Sequence, residues 1–293
     1  SAARRPENRG RRVWTPPPSA TRDRRWPNVD RVLARQPWAD VKVVLERNEI
    51  PDVARTVERL RRLVELLVQW NRSVSNLISK NDEERIVAGH VLPSIELAGW
   101  LKSANLIHWC DLGSGGGFPA LPLVICGVGS SWDLVESRRT KTLFLLRAIG
   151  DLELTGVRVL ASRIEDLIAL VAPARATAAA DEGSLIPHGE VASEDSAGWG
   201  VDQVDPEWTD RPIVPLTPPY DGFTSRATLT LAPTLEHAAR IVRPDGTAFL
   251  WKGSRLAAEA KESSAWRTNW EEGEARPLSV EHSVVVNFKR RKV

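Results

Sequence analysis

The chain has 293 residues, 42% of them hydrophobic, a formal net charge of +2, two cysteines and no methionine. That length and apolar content suffice for one sizeable core with extensions, and no apolar run approaches the ~20 residues of a membrane span. Cys110 and Cys126 lie in apolar surroundings and match no metal-ligand spacing, so they read as small core residues of a reducing compartment, with no metal site.

The near-neutral total hides a segregation of charge. At the start of the chain Arg4, Arg5, Arg9, Arg11, Arg12, Arg22, Arg24, Arg25, Arg31 and Arg35 face only Glu7, Asp23 and Asp30. Such a stretch suits phosphate, and it also reads as the remnant of an organellar transit segment or as a solvated tail. Residues 1–50 are expected to form a basic, largely extended arm, with Trp14-Thr15-Pro16-Pro17-Pro18 held extended by its prolines. Together with the lack of methionine, this favours a processed protein of the mitochondrial matrix; the bacterial cytoplasm is the alternative.

Residues 51–104 read as a helical cap. Val57, Leu60, Leu63, Val64, Leu67 and Trp70 recur at helical spacing with arginines opposite, and a second helix is expected from Asp82 to Leu101. From residue 105 onward, strands alternate with helices: 107–111, 132–136, 157–160, 222–225 and 247–251, with a terminal strand at 283–289. Alternation of this kind predicts an α/β fold built on a doubly wound, mainly parallel sheet.

Between the first strand and its helix stands Asp111-Leu112-Gly113-Ser114-Gly115-Gly116-Gly117-Phe118-Pro119. Glycine tolerates positive φ and has no Cβ, so a ligand can approach the main chain, with amides expected to point into the crevice. The order D-x-G-x-G-x-G differs from the G-x-G-x-x-G of dinucleotide folds. The second strand ends in Glu136, followed by Ser137, where a nucleoside site places its ribose-binding carboxylate. After the third strand, Ser162-Arg163-Ile164-Glu165-Asp166 opens a helix where such folds contact the base.

Two segments stand apart. Residues 172–219 are rich in Ala, Pro and Gly, and from Asp181 to Asp210 they carry many acids and no Lys or Arg, which marks an insertion that repels phosphate and suits a protein partner through Trp199 and Trp208. Thr217-Pro218-Pro219-Tyr220 imitates the motif of amine methylation, but it precedes the strand it should follow and reads better as a Pro-rich loop end.

Taken together, the motifs resemble those of the RsmG (GidB) family, which methylates guanine N7 in small-subunit ribosomal RNA. Trp70-Asn71 followed by Asn76-Leu77, His90 with Ser94, the Asp111–Pro119 loop, Glu136-Ser137, Phe144-Leu145, Ser162-Arg163-Ile164-Glu165, Ser225-Arg226-Ala227 and Trp251-Lys252-Gly253 occur in the family's order. The resemblance implies a Rossmann-like class I methyltransferase with a seven-stranded sheet and residues 105–293 as its catalytic domain. It implies S-adenosylmethionine as cofactor, held by Asp111, Gly113, Ser114, Gly115, Gly117, Phe118, Glu136, Ser137, Ile164, Glu165 and Arg226. Arg226, Lys252 and His90 are the catalytic candidates, and small-subunit rRNA with ribosomal or assembly proteins are the implied partners.

There are departures from the family pattern. Gly89 stands where the family has Arg, Pro93 where it has Asp, and Arg138-Arg139-Thr140-Lys141 where a glycine precedes paired basic residues. These changes support a rival reading, a catalytically impaired assembly factor of the ribosomal or mitoribosomal small subunit that binds rRNA and proteins. Guanine N7 carries a lone pair and no proton, so the chemistry needs alignment more than a general base.

Overall fold

The computed structural model describes residues 27–74, 77–171 and 214–292. The arginines of residues 1–26 and nearly all of the acidic insertion lie outside them, as does Asn76. Residues 27–50, expected to be extended, instead hold two helices, α1 (Pro27–Ala34) and α2 (Trp38–Arg47). Val29, Leu33, Val41, Leu45 and Ile50 are buried, so this part of the basic segment carries its own apolar stripe and docks on the core.

α3 (Val53–Ser73) buries the face read from the sequence, including Leu60, Leu63, Val64 and Leu67, and Asp52 caps it by accepting from the Arg55 amide at 3.2 Å. The expected single helix from Asp82 to Leu101 is broken. It comprises α4 (Lys80–Glu84), a π-helical turn at Val87–Val91, α5 (Leu92–Ile95) and α6 (Ala98–Ser103). Pro93 supplies the reason. It has no N–H to offer the carbonyl of Gly89 one turn back, so the regular ladder cannot continue through it.

The sheet has seven strands in the order β3-β2-β1-β4-β5-β7-β6. β1 (His108–Leu112), β2 (Ser131–Val135), β3 (Val157–Leu160), β4 (Tyr220–Arg226) and β5 (Val242–Lys252) run parallel. β7 (Val284–Arg290) pairs antiparallel with β5 and with β6 (Trp270–Pro277). β6 escaped the sequence reading because its residues are mostly exposed and half of them charged, which suits an edge strand. A bulge near Gly273 accommodates the Asn287 side chain, whose Oδ1 accepts from the Glu274 amide at 2.7 Å.

Helices cover both faces. One core joins α1, α2 and α3, α7 (Ala120–Ile125) and α8 (Arg139–Asp151) to Trp109, Trp132 and Phe249 of the sheet. The two tryptophans stack with ring centroids 5.0 Å apart. The other core packs α9 (Ile164–Val171) and α10 (Leu231–Ile241) against Cys110, Leu112, Phe223 and Leu250. Strand alternation thus sends Trp109 to one face and Cys110 to the other, and both cysteines are buried and free. The order reverses between β1 and β4, which opens a crevice at the carboxyl ends of these strands.

Thr217 to Tyr220 lies elsewhere. Tyr220 is fully buried at the start of β4, its hydroxyl donates to Asp133, and Arg158 donates to the same carboxylate. The motif therefore closes a core polar cluster at the opposite end of the sheet from the crevice and offers no face to a nucleobase. Within the C-terminal run Lys289-Arg290-Arg291-Lys292, Arg290 donates to the carbonyl of Asn269 at 3.0 Å and Lys292 pairs with Asp245 at 2.9 Å.

Candidate active site

A cavity of about 570 Å³ fills the crevice. Its floor is the loop from Leu112 to Gly116, and its sides are the ends of β2 and β4, the start of α9 and the π-helical turn. That volume falls in the range of a small-molecule pocket.

The three alternating glycines have different jobs. All have positive φ: 72° at Gly113, 55° at Gly115 and 87° at Gly117. A Cβ on Gly113 would lie 2.2 Å from Thr228 Oγ1, and one on Gly117 would lie 2.4 Å from Leu121 Cδ1. Those two are demanded by the protein's own packing. At Gly115 the nearest side-chain atom is Lys141 Nζ at 3.9 Å, so this backbone lies open to the cavity.

The loop amides are not the free cradle expected. Gly113 and Ser114 donate to the Val135 carbonyl at 2.9 and 3.1 Å, Gly117 to the Ser114 carbonyl at 2.7 Å, and Gly115 to Glu136 Oε2 at 2.9 Å. Three of them tie the loop to the end of β2, and that of Gly117 closes a turn within the loop. Glu136, only 6% exposed, also accepts from the Arg138 amide at 2.8 Å through its other oxygen. Each carboxylate oxygen has a second lone pair, so the group is held rigid with acceptor capacity left for the cavity it lines.

Asp111 and Gly117 do not line the cavity. Asp111 is buried beneath the loop, where Oδ1 accepts from Thr224 Oγ1 at 2.6 Å and Oδ2 has no partner among the described residues. Burial raises its pKa from an ordinary 3.8 to about 6; the Ser114 and Thr224 hydroxyls pull it down and Glu136 pushes it up. Gly113, Ser114, Phe118, Ser137, Ile164 and Glu165 do lie in the wall.

Of the catalytic candidates, His90 and Arg226 line the cavity and Lys252 does not. Lys252 Nζ is held by Glu259 at 2.9 Å and by the Leu229 carbonyl at 3.1 Å. Both side chains of this ion pair are largely buried, which withdraws the ammonium from the crevice. His90 sits 5.3 Å from Phe118 between ring centroids, and burial, then Arg226, lowers its pKa to about 4, so it is neutral at pH 7. Arg226 Nη2 donates to the Gly89 carbonyl at 2.7 Å, while its buried Nη1 has no partner among the described residues. The departures at Gly89 and Pro93 now connect: the carbonyl that residue 93 cannot engage along the helix is the one that holds Arg226.

Other wall residues went unassigned in the sequence. Leu77 and Ile78 are fixed through their amides, which donate to Asn71 Oδ1 at 2.6 and 3.1 Å, and Asn71 Nδ2 donates to Glu83 at 3.0 Å. Arg138, Lys141 and Arg163 bring cations to the wall, none in an ion pair among the described residues. In the sequence Arg138 and Lys141 stand in one basic run and Arg163 far from it; the convergence of β2, α8 and α9 unites them.

Residues 56–182 match the family model GidB, described as rRNA small subunit methyltransferase G. Proteins named ribosomal RNA small subunit methyltransferase G are similar to it: that of Gluconobacter oxydans is 32% identical over 72% of this chain and 81% of its own length, and that of Xanthomonas euvesicatoria is 30% identical over 82% and 89%. The Neisseria gonorrhoeae protein is 36% identical, but the chain spans only 55% of it. Among solved structures, magnesium protoporphyrin IX methyltransferase from Synechocystis PCC 6803 superposes with a TM-score of 0.46 at 12% identity over 76% of this chain and 90% of its own, a likeness too distant to inform function.

Proposed function

The chain belongs to the rRNA small subunit methyltransferase G (GidB) family, and on that membership and the cavity's geometry we propose that it methylates guanine N7 of small-subunit ribosomal RNA with S-adenosylmethionine. The observation that carries the reading is Glu136: a rigid, buried carboxylate at the end of β2, beside a glycine whose backbone is open to the cavity. These residues fit the cofactor. Glu136 can accept from ribose hydroxyls, Ile164 offers an apolar wall to the adenine, and Phe118 adds aromatic surface. The bound cofactor supplies an electrophilic methyl on a sulfonium.

The remaining chemistry falls to alignment. Guanine N7 has no proton to lose, and the methylated purine becomes cationic. A neutral His90 on the cavity wall adds no opposing charge. Arg226, drawn back on the Gly89 carbonyl with its Nη1 buried, sets its positive charge in the cavity wall, where it favours the negatively charged RNA backbone. Buried Asp111 places negative charge beneath the loop, favouring a cationic ligand above it.

The test is incubation of the purified chain with labelled S-adenosylmethionine and unmodified small-subunit rRNA, followed by mapping of the label. Incorporation at a guanine, resolved as 7-methylguanine, is expected. Cofactor binding without incorporation would instead select the assembly-factor reading.

A further inference from the structure

A second cavity, of about 340 Å³, lies between α1 and the end of α3, lined by Arg31, Val32, Arg35, Gln36, Arg72 and Glu84. Three arginines therefore line one hollow, with Glu84 as its lining carboxylate. Arg31 and Arg35 are exposed, one turn apart, and form no ion pair among the described residues. Arg72 is held in place by Glu83 at 2.9 Å, and Glu83 is itself buried and accepts from Asn71. A cation near the end of α1 and of α3 complements each helix dipole. That accounts for neither the third guanidinium nor the hollow between them, since like charges one turn apart repel.

The floor of this hollow is wired to the main cavity. Buried Gln36 donates through Nε2 to the Glu84 carbonyl at 3.1 Å and accepts from the Val87 amide at 3.1 Å. Val87 begins the π-helical turn that carries His90 into the wall of the main cavity. On the other side, the chain leaving Arg72 reaches that cavity at Leu77 and Ile78, which Asn71 fixes.

We propose that the arginine-lined hollow is a docking subsite for RNA backbone phosphate, separate from the methyl-transfer cavity and rigidly coupled to its wall. The inference rests on the rRNA reading above. Guanidinium forks match phosphate oxygens in pairs, and a platform at this position grips the substrate away from the reacting guanine. Eight further arginines precede α1 in the sequence, among residues 1–26.

The experiment uses the full chain and transcribed small-subunit rRNA, with affinity measured between about 50 and 200 mM salt, the range in which counterion release dominates. Arg31→Glu with Arg35→Glu is expected to weaken RNA binding about tenfold or more and to lower the log–log salt slope by about 1.4–1.8, the share of two phosphate contacts. Arg31→Lys with Arg35→Lys should stay within about threefold, and the distant exposed pair Arg240→Glu with Lys261→Glu should change little. All four side chains are exposed, and an unchanged melting curve and cofactor affinity would show that the variants fold. Unchanged affinity and slope in the Arg31/Arg35 reversal would overturn the proposal. So would a variant that binds naked RNA normally and loses only assembled small subunits, which would indicate an acidic protein partner. A wild-type chain that binds RNA through these arginines and transfers no methyl would defeat the methylation reading and leave this one standing.

Discussion

Replacing Asp111 by Asn probes the site through stability. The carboxyl is 1% exposed and its pKa rises from 3.8 to about 6, because burial disfavours the ionised form. Between those two values the native state keeps a proton that the unfolded chain has released. Stability then falls as pH rises through this window, the reverse of a salt-bridged carboxylate. At about 1.36 kcal/mol per pH unit, the rise amounts to a penalty of about 3 kcal/mol, fully felt above about pH 6 and absent below about 4. The amide of the variant cannot ionise, so the difference in unfolding free energy between wild type and Asp111→Asn should shift by about 3 kcal/mol in the variant's favour as pH rises from about 4 to 7. Other carboxylates cancel in the difference. Urea titrations across that range supply the measurement, and parallel stability curves would refute the reasoning. A cationic ligand above the loop favours the ionised form, so cofactor binding near pH 6 should release protons from wild type and fewer from the variant, readable by calorimetry in buffers of different ionisation heat.

Glu136→Gln keeps the shape, loses the charge and turns one amide donor toward another; it should weaken S-adenosylmethionine binding by about tenfold to a hundredfold, measured by titration calorimetry. Gly113→Ala and Gly115→Ala separate the loop's two duties. The first drives a Cβ into Thr228 and should destabilise by about 2 kcal/mol or more, whereas the second meets no side chain within 3.4 Å and should cost about 1 kcal/mol of folding while losing cofactor affinity. Tyr220→Phe removes the buried hydroxyl bond to Asp133 and should cost about 1–3 kcal/mol in denaturant unfolding, with cofactor affinity unchanged because the cluster lies at the far end of the sheet.

Much of the site was legible because its signals are local. A glycine-rich turn, a carboxylate after a strand and short apolar runs alternating with helical ones each leave a mark within a few residues, which is why Gly115, Glu136 and the parallel strands could be read in one dimension. The helix at 82–101 and the extended reading of 27–50 went astray for the same reason in reverse. There, Pro93 and a short apolar stripe outweighed the helical and basic patterns around them.

The sequence alone determined where the glycine loop falls, the alternation that makes the sheet parallel, and the carboxylate at the end of β2, since each follows from backbone geometry and neighbouring residues. Only the tertiary structure decided that Gly113 and Gly117 serve packing while Gly115 serves the cavity, that Glu259 removes Lys252 from it, and that Arg226 reaches Gly89 across 137 positions of chain. These outcomes depend on which side chains meet when distant segments pack, and a contact of that separation leaves no periodicity to read.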